Sequence, residues 1–384
     1  MAWTKKQILL AITMVTCGSI NTLSTKWADT LESKGSDGKT RKFNHPFVQS
    51  CFMFFGEFLC LLTFKLLYYY YKRKNDGSEN ENGFVKGNRN FSPFILFVPA
   101  CCDMIATSIM YIGLNLTYAS SFQMLRGSVI VFVGFLSFAF LGRVLIARQW
   151  SGIFFIISGL AMVGTADFLS KDGSGTSVNN VITGDLLIVL AQIITSCQMV
   201  YEEKFVGSLD IPPLQAVGWE GVFGFSMIAC LLVPMYFIHV PAPFSDNARG
   251  VLEDLPDALY QIFNNPLLVV AITGTILSIA TFNFAGISVT KEISATTRMV
   301  LDSVRTFVIW MVSLAIGWQT KVHGLEVAGF CSLIFGLFLY NGILLPELWE
   351  KIKSGCRRCC SRGSERDDMV EPIISSAADE ASNA

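Results

Sequence analysis

Arg298, Asp302 and Arg305 stand four and three positions apart. At helical spacing they share one face, and Asp302 can pair with either arginine. The guanidinium left over is then available to a ligand anion. Two more stripes repeat the pattern. Asp103, Thr107 and Tyr111 fall on one helical face, and Ser120, Gln123 and Arg126 fall close to another. Glu57 and Glu220 place single carboxylates inside strongly apolar runs. These groups suit recognition of a polar or anionic solute better than bond making. Gln123, Arg126, Arg298, Asp302 and Arg305 are the candidate binding residues. Glu57, Asp103 and Glu220 would balance charge, or one would carry a proton. The alternative is a set of fixed salt bridges between helices. Each such group costs about 2.5 to 3.5 kcal/mol at the centre of a membrane helix, so those that persist face a cavity or a partner.

Other chemistries find no residues to carry them. There is no Walker A motif for nucleotide triphosphate. Gly173-Ser174-Gly175 lacks the third glycine of a dinucleotide loop. His45, His239 and His323 form no zinc spacing, and no Ser-His-Asp or Cys-His set is placed for catalysis. Neither an enzyme, a metal site nor a cofactor is expected. Of 11 cysteines, most lie in apolar stretches and read as small hydrophobes rather than a disulfide framework. Cys356, Cys359 and Cys360 flank Arg357 and Arg358 beside the last apolar run, which suggests S-palmitoylation. Asn115-Leu116-Thr117 is a glycosylation sequon close to the membrane.

The elements that hold these residues are membrane helices. Of 384 residues, 52% are hydrophobic and 15% charged, too little charge to clothe a soluble surface. A net charge of -1 argues against a nucleic-acid partner. Membrane lipid and a small-molecule substrate are the expected partners, with a membrane-protein partner or a homodimer as further ones. A span needs about 20 apolar residues, and about ten stretches qualify: 8–25, 47–71, 93–114, 121–141, 150–168, 181–203, 214–238, 267–290, 295–317 and 324–345. The first could be a cleaved secretory signal, but the repeat below requires a retained helix. Residues 251–263 are amphipathic, with Leu252, Leu255, Leu259 and Ile262 on one side and Glu253, Asp254 and Asp257 away from it. They read as a short helix on the membrane surface or packed on the bundle. Lysine and arginine favour the loops on the side of the chain's two ends, so both termini are expected in the cytosol.

The halves resemble each other. Ala119-Ser120-Ser121 and Leu125 match Ala295-Thr296-Thr297 and Leu301, and Gly152 and Gly159 match Gly329 and Gly336, at a nearly constant offset. An odd number of spans per unit inverts the second unit in the membrane, as alternating access requires. The expected organisation is an all-α polytopic membrane protein with ten transmembrane helices in two inverted five-helix repeats. Residues 1–170 would form the first repeat, 171–346 the second, and 347–384 a disordered cytosolic tail.

Longer runs carry a family resemblance. Gly18-Ser19-Ile20-Asn21-Thr22, Ser121-Phe122-Gln123-Met124-Leu125-Arg126-Gly127, Glu202-Glu203-Lys204-Phe205-Val206 and Thr296-Thr297-Arg298-Met299-Val300-Leu301-Asp302 resemble solute carrier family 35, subfamily F, of the drug/metabolite transporter superfamily. The resemblance covers nearly all of residues 1–350. It implies ten helices in inverted repeats and a secondary transporter or exchanger of a small polar or anionic, nucleotide-sugar-like metabolite. It also implies a lysosomal or other endomembrane, with the mitochondrial membrane as alternative. The better-known nucleotide-sugar exchangers carry a Gly-Ala-Leu-Asn-Lys motif where this chain reads Ser288-Val289-Thr290-Lys291, which adds Lys291 to the substrate-binding candidates. Lys26, Lys204 and Lys291 sit at helix ends, as gates or as snorkelling anchors. The competing function is a transporter-like scaffold that binds another membrane protein and moves nothing.

Overall fold

The computed structural model describes residues 4–74, 84–117, 122, 124–142, 144–169, 178–240, 247, 249–316 and 324–341. Its helices are α1 (Lys5–Thr30), α2 (Pro46–Lys74), α3 (Phe97–Leu116), α4 (Val129–Leu141), α5 (Ala147–Leu169), α6 (Val178–Ser208), α7 (Pro213–Met235), α8 (Leu255–Asn264), α9 (Pro266–Glu292), α10 (Ala295–Ile316) and α11 (Gly324–Asn341). Each expected apolar stretch carries a helix over its described part. Their ends follow local rules. Thr4 and Gln7 form a capping box at the start of α1. Asn265 caps α9 through the Leu267 amide, with Pro266 as the first helical residue. Gly142 ends α4 in the left-handed conformation, φ 66°. The fourth stretch departs from expectation at its start, where Arg126–Ser128 forms a 3-10 turn ahead of α4.

The outer surface of the bundle is apolar. Leu66, Phe154 and Leu186 are more than half exposed, the reverse of a water-facing surface. Among the described residues, Lys5–Thr30, Pro46–Lys74, Pro93–Leu114, Asn180–Ser208, Pro213–Met235 and Pro266–Glu292 are long and apolar enough to cross a membrane, and Arg126–Leu141 and Val327–Tyr340 are shorter apolar helices. The chain is an all-α, multi-pass membrane protein, since helices satisfy every backbone group where lipid cannot.

The most extensive packing joins helices far apart in sequence: α1 with α9, α2 with α7, α3 with α6, and α5 with α11. All four pairs run antiparallel. Lys6 pairs with Glu292 near one end of α1 and α9, and Asn21 donates to the Thr275 carbonyl further along (3.2 Å). Gly221 lies against Glu57 and Phe58, and Gly224 against Phe54. Thr117 donates to Asp185 (2.5 Å), while Gln192 meets Met110 Sδ further along (3.3 Å). Between α5 and α11 the backbones nearly touch. A Cβ on Gly159 would stand 2.6 Å from the Gly329 carbonyl oxygen, and one on Gly336 2.7 Å from that of Gly152. Only glycine permits that approach, and close backbone packing is the main attraction between helices in lipid.

At the end of the bundle where α1 finishes, a small hairpin of β1 (Glu32–Lys34) and β2 (Thr40–Lys42) lies over α8. The joint is buried and charged. Arg41 Nη2 donates to both oxygens of Asp257 (3.1 and 3.0 Å), and the Ser36 amide donates to Asp257 Oδ1 (2.7 Å). His45 Nδ1 meets Glu253 Oε1 at 2.6 Å, and the Phe47 amide donates to the other Glu253 oxygen (3.0 Å). Of the two expected positions α8 takes the one packed on the bundle, with Leu252, Leu255 and Ile262 against its core, but its acidic residues are buried as well. Asp257 and Gln261 point into the protein, while Tyr260 and Phe263 are exposed. The carboxylates turn inward because Arg41, His45 and free backbone amides wait there, and an unpaired buried carboxylate could not persist.

Burial disfavours the charged His45 ring, but Asp257 and Glu253 outweigh it and push its pKa up to about 9. Burial likewise opposes ionisation of Asp257, yet His45, Ser36 and Gln261 hold its carboxyl well below the usual range. A raised histidine pKa stabilises the folded cap fully below its ordinary value of 6.5 and loses that contribution as pH climbs through about 9. Protection of the hairpin amides from hydrogen exchange, taken relative to the unstructured rate at each pH, should therefore be greatest below pH 6.5 and fall between pH 6.5 and 9, a change on the order of 3 kcal/mol. His45→Gln should flatten that slope. An unchanged slope in the variant would show that His45 does not hold the cap.

Candidate functional site: a charged chamber in the bundle

A cavity of about 560 Å³ opens between the helices. Its wall includes Glu57 of α2, Asp103 and Thr107 of α3, Glu220 of α7, and Arg298, Asp302 and Arg305 of α10. Arg126 and Phe122 join them from the segment ahead of α4. The lining extends to Asp29 and Thr30, both exposed at the C-terminal end of α1. Toward the start of α1 it stops at Met14. Beyond Met14 the bundle is tied shut. Lys6 pairs with Glu292, Lys291 binds Asp210 (2.7 Å) and the Ile211 carbonyl (2.8 Å), and Glu203 accepts from the Ala295 amide (3.1 Å).

Arg298 is buried and pairs with Glu202 of α6, itself fully buried. Gln198, one turn earlier on α6, donates to the other Glu202 oxygen (2.9 Å). The neighbouring wall makes room for the guanidinium, because a Cβ on Gly286 would stand 2.9 Å from Arg298 Nε. Seven residues further along α10, Arg305 binds Asp302 (2.8 Å) and lies over the Phe282 ring, 4.7 Å from its centroid. Here Gly18 provides the space: a Cβ there would stand 2.4 Å from Arg305 Cδ. Arg126 lies over Phe122, 5.9 Å from the centroid.

The carboxylates gather around Arg298. Glu57, Asp103, Glu202 and Glu220 are within electrostatic reach of one another and of that guanidinium. Asn283 donates to Glu57, and Thr107 to Asp103 (3.5 Å). Glu220 Oε1 is buried and has no hydrogen-bond partner among the described residues. Lys26 and Asp29 interact at the chamber's open end.

The structure thus brings Glu57, Asp103, Arg126, Glu220, Arg298, Asp302 and Arg305 to one cavity. Lys291 is elsewhere, fastening the end of α9 to the turn before α7. Gln123, the Asn115 side chain and Cys356, Cys359 and Cys360 lie outside the described residues. Asp302 takes Arg305, and Arg298 takes a carboxylate that the spacing on α10 does not reveal. Glu202 escaped notice because it falls at the edge of its apolar stretch, where charges are common. The available signal was Gln198, four residues earlier on the same helical face.

A buried pair of this kind is unequal in its parts. Removing one partner strands a charge and typically costs about 3 to 5 kcal/mol, whereas replacing both with apolar groups is often near neutral. Glu202→Leu and Arg298→Met should each lower the thermal midpoint of the detergent-solubilised protein by several degrees. The double variant should recover most of the loss. Additive losses in the double variant would mean the two side chains are not paired.

The model of the solute carrier family 35 family matches residues 6–238. Solute carrier family 35 member F6 of Homo sapiens is 54% identical over 91% of this chain and 92% of its own length, and that of Rattus norvegicus is 55% identical over the same shares. A Schizosaccharomyces pombe protein described as uncharacterized is 33% identical over 89% of this chain and all of its own. A chain of known crystal structure shares the fold at 12% identity, with a TM-score of 0.54 over 88% of this chain and 96% of that one. The chain belongs to solute carrier family 35.

Proposed function

We propose that this protein is a secondary transporter or exchanger that carries a small polar solute across an intracellular membrane by alternating access. The charged chamber carries the reading. Ionisable side chains from five helices are kept inside an apolar bundle, and their cost is offset only if they face one another or a solute. A chamber of about 560 Å³ falls in the range of small-molecule sites. On this reading Arg126 and Arg305 meet an anionic group of the solute. A lysosomal or related endomembrane is the proposed setting, with both chain ends in the cytosol.

The packing supports two inverted five-helix units, 1–170 and 171–346. Exchange α1 to α5 with α6, α7, α9, α10 and α11 in order. The α1–α9 contact then becomes α6–α3, α1–α10 becomes α6–α4, and α2–α9 becomes α7–α3. The α2–α7 and α5–α11 contacts map onto themselves. A pair of units related in this way has two arrangements of similar energy, one open to each side. The chamber as it stands opens at the C-terminal end of α1, and the ties at Lys6, Glu203 and Lys291 close the opposite end.

A single cysteine at Thr107→Cys, in a background with the native cysteines replaced by alanine, tests the cycle. A membrane-impermeant thiol reagent should reach it from either side of sealed vesicles. Strengthening the closed end with a cross-link between positions 6 and 292 should abolish access from that side alone. Labelling from one side only, whatever the cross-link, would leave the scaffold reading in place of transport.

A further inference from the structure

The charges of the chamber are not mixed at random. One end holds three lining carboxylates, Glu57, Asp103 and Glu220, and the buried Glu202, around the single guanidinium of Arg298. The other holds two guanidiniums, Arg126 and Arg305, around the single carboxylate of Asp302. Seven residues of α10 separate Arg298 from Arg305, about 10 Å at the helical rise. Lys26 and Asp29 interact with each other at the open end.

Both poles present a buried polar atom without a partner among the described residues. At the acidic pole there are two, Glu220 Oε1, an acceptor whose residue is 7% exposed, and Arg298 Nε, a donor that lies against Gly286 of α9. At the basic pole it is Arg305 Nε, a donor whose residue is 4% exposed. Glu220 and Arg305 both line the chamber. An acceptor at the negative pole calls for a cationic donor, and a donor at the positive pole calls for an anionic acceptor. Asn283, Thr107 and Gln198 hold the surrounding carboxylates by single hydrogen bonds.

We infer that the chamber selects a small zwitterion, with its cationic group among Glu57, Asp103 and Glu220 and its anionic group between Arg126 and Arg305. The inference rests on the transport reading for its biological meaning but not for its geometry. A simple anion would satisfy Arg126 and Arg305 and leave the acceptor of Glu220 without a donor. A simple cation would fail in the opposite sense. A zwitterion answers both poles while adding no net charge to a low-dielectric site. Glu202 is the fixed partner of Arg298 and Asp302 that of Arg305, so neither is a primary contact for the solute.

Equilibrium binding to the purified full chain tests this, because binding is read apart from flux. The probes are ω-amino acids from aminobutanoate to aminooctanoate, α-amino acids, and the alkylamines and alkanoates of matching length. Zwitterions should raise the thermal midpoint and bind at least tenfold more tightly than either singly charged analogue. Glu220→Gln should weaken zwitterions tenfold or more and leave alkanoates unchanged, and Arg126→Gln should weaken zwitterions and spare alkylamines. Asp103→Asn serves in place of Glu220→Gln if the latter fails to fold. Equal or tighter binding of an alkanoate or an alkylamine, or no zwitterion binding at all, would overturn the inference. Zwitterion binding without exchange across liposomes would keep the inference and remove the transport reading.

Discussion

The Arg298–Glu202 pair is the constraint on which the interior depends. A guanidinium and a carboxylate cannot be left in hydrocarbon, and their attraction offsets the loss of hydration only when both are well oriented. That orientation draws on much of the bundle. Gln198 fixes Glu202 from the same helix, and Gly286 thins the wall of α9 where the guanidinium passes. The pair couples α6 to α10, and the carboxylates of α2, α3 and α7 collect around it. Arg305 repeats the arrangement deeper in the bundle, with Asp302 as partner, Phe282 as floor and Gly18 as the opening. The charges and the small residues are therefore one device: glycines admit the arginines, and the arginines keep the helices from closing on themselves.

The chamber and the outer contacts separate two kinds of packing. Glycine-lined seams such as α5 against α11 bring backbones within touching distance and leave no room for solute. The central helices instead meet through long polar side chains around open space. On the proposed two-unit reading, each unit contributes to every major seam, so a change of tilt opens one end of the chamber as it closes the other. The closed end is held by ion pairs at helix ends, and the cap of hairpin and α8 sits at the end where the chamber opens. Packed seams and breakable ties are what a bistable bundle needs.

Much of this was legible from spacing and composition. The helices follow from the apolar runs, and Arg298, Asp302 and Arg305 share a face because helical geometry compels it. Asp103 and Thr107 point into the same cavity for the same reason. Partner choice was not legible. The pattern on α10 offered Asp302 to either arginine, and only the placement of α6 assigns Arg298 to Glu202. Lys291 illustrates the opposite case, since a place at a helix end does not reveal that the turn at Asp210 captures it. The acidic residues of α8 do not announce their burial, because their partners, Arg41 and His45, lie some two hundred residues away in sequence. Long-range electrostatic pairing decides these cases, and periodicity carries no trace of it.

The central claim is that the buried arginines and carboxylates line a chamber between helices instead of facing lipid. An experimental structure of the protein in lipid nanodiscs, by electron cryo-microscopy, examines this most directly. The account predicts Arg298 against Glu202, Arg305 against Asp302, and Glu57, Asp103 and Glu220 around one shared polar cavity. Density that turned Arg298 or Arg305 toward the acyl chains, with the central helices packed tightly against each other, would contradict it.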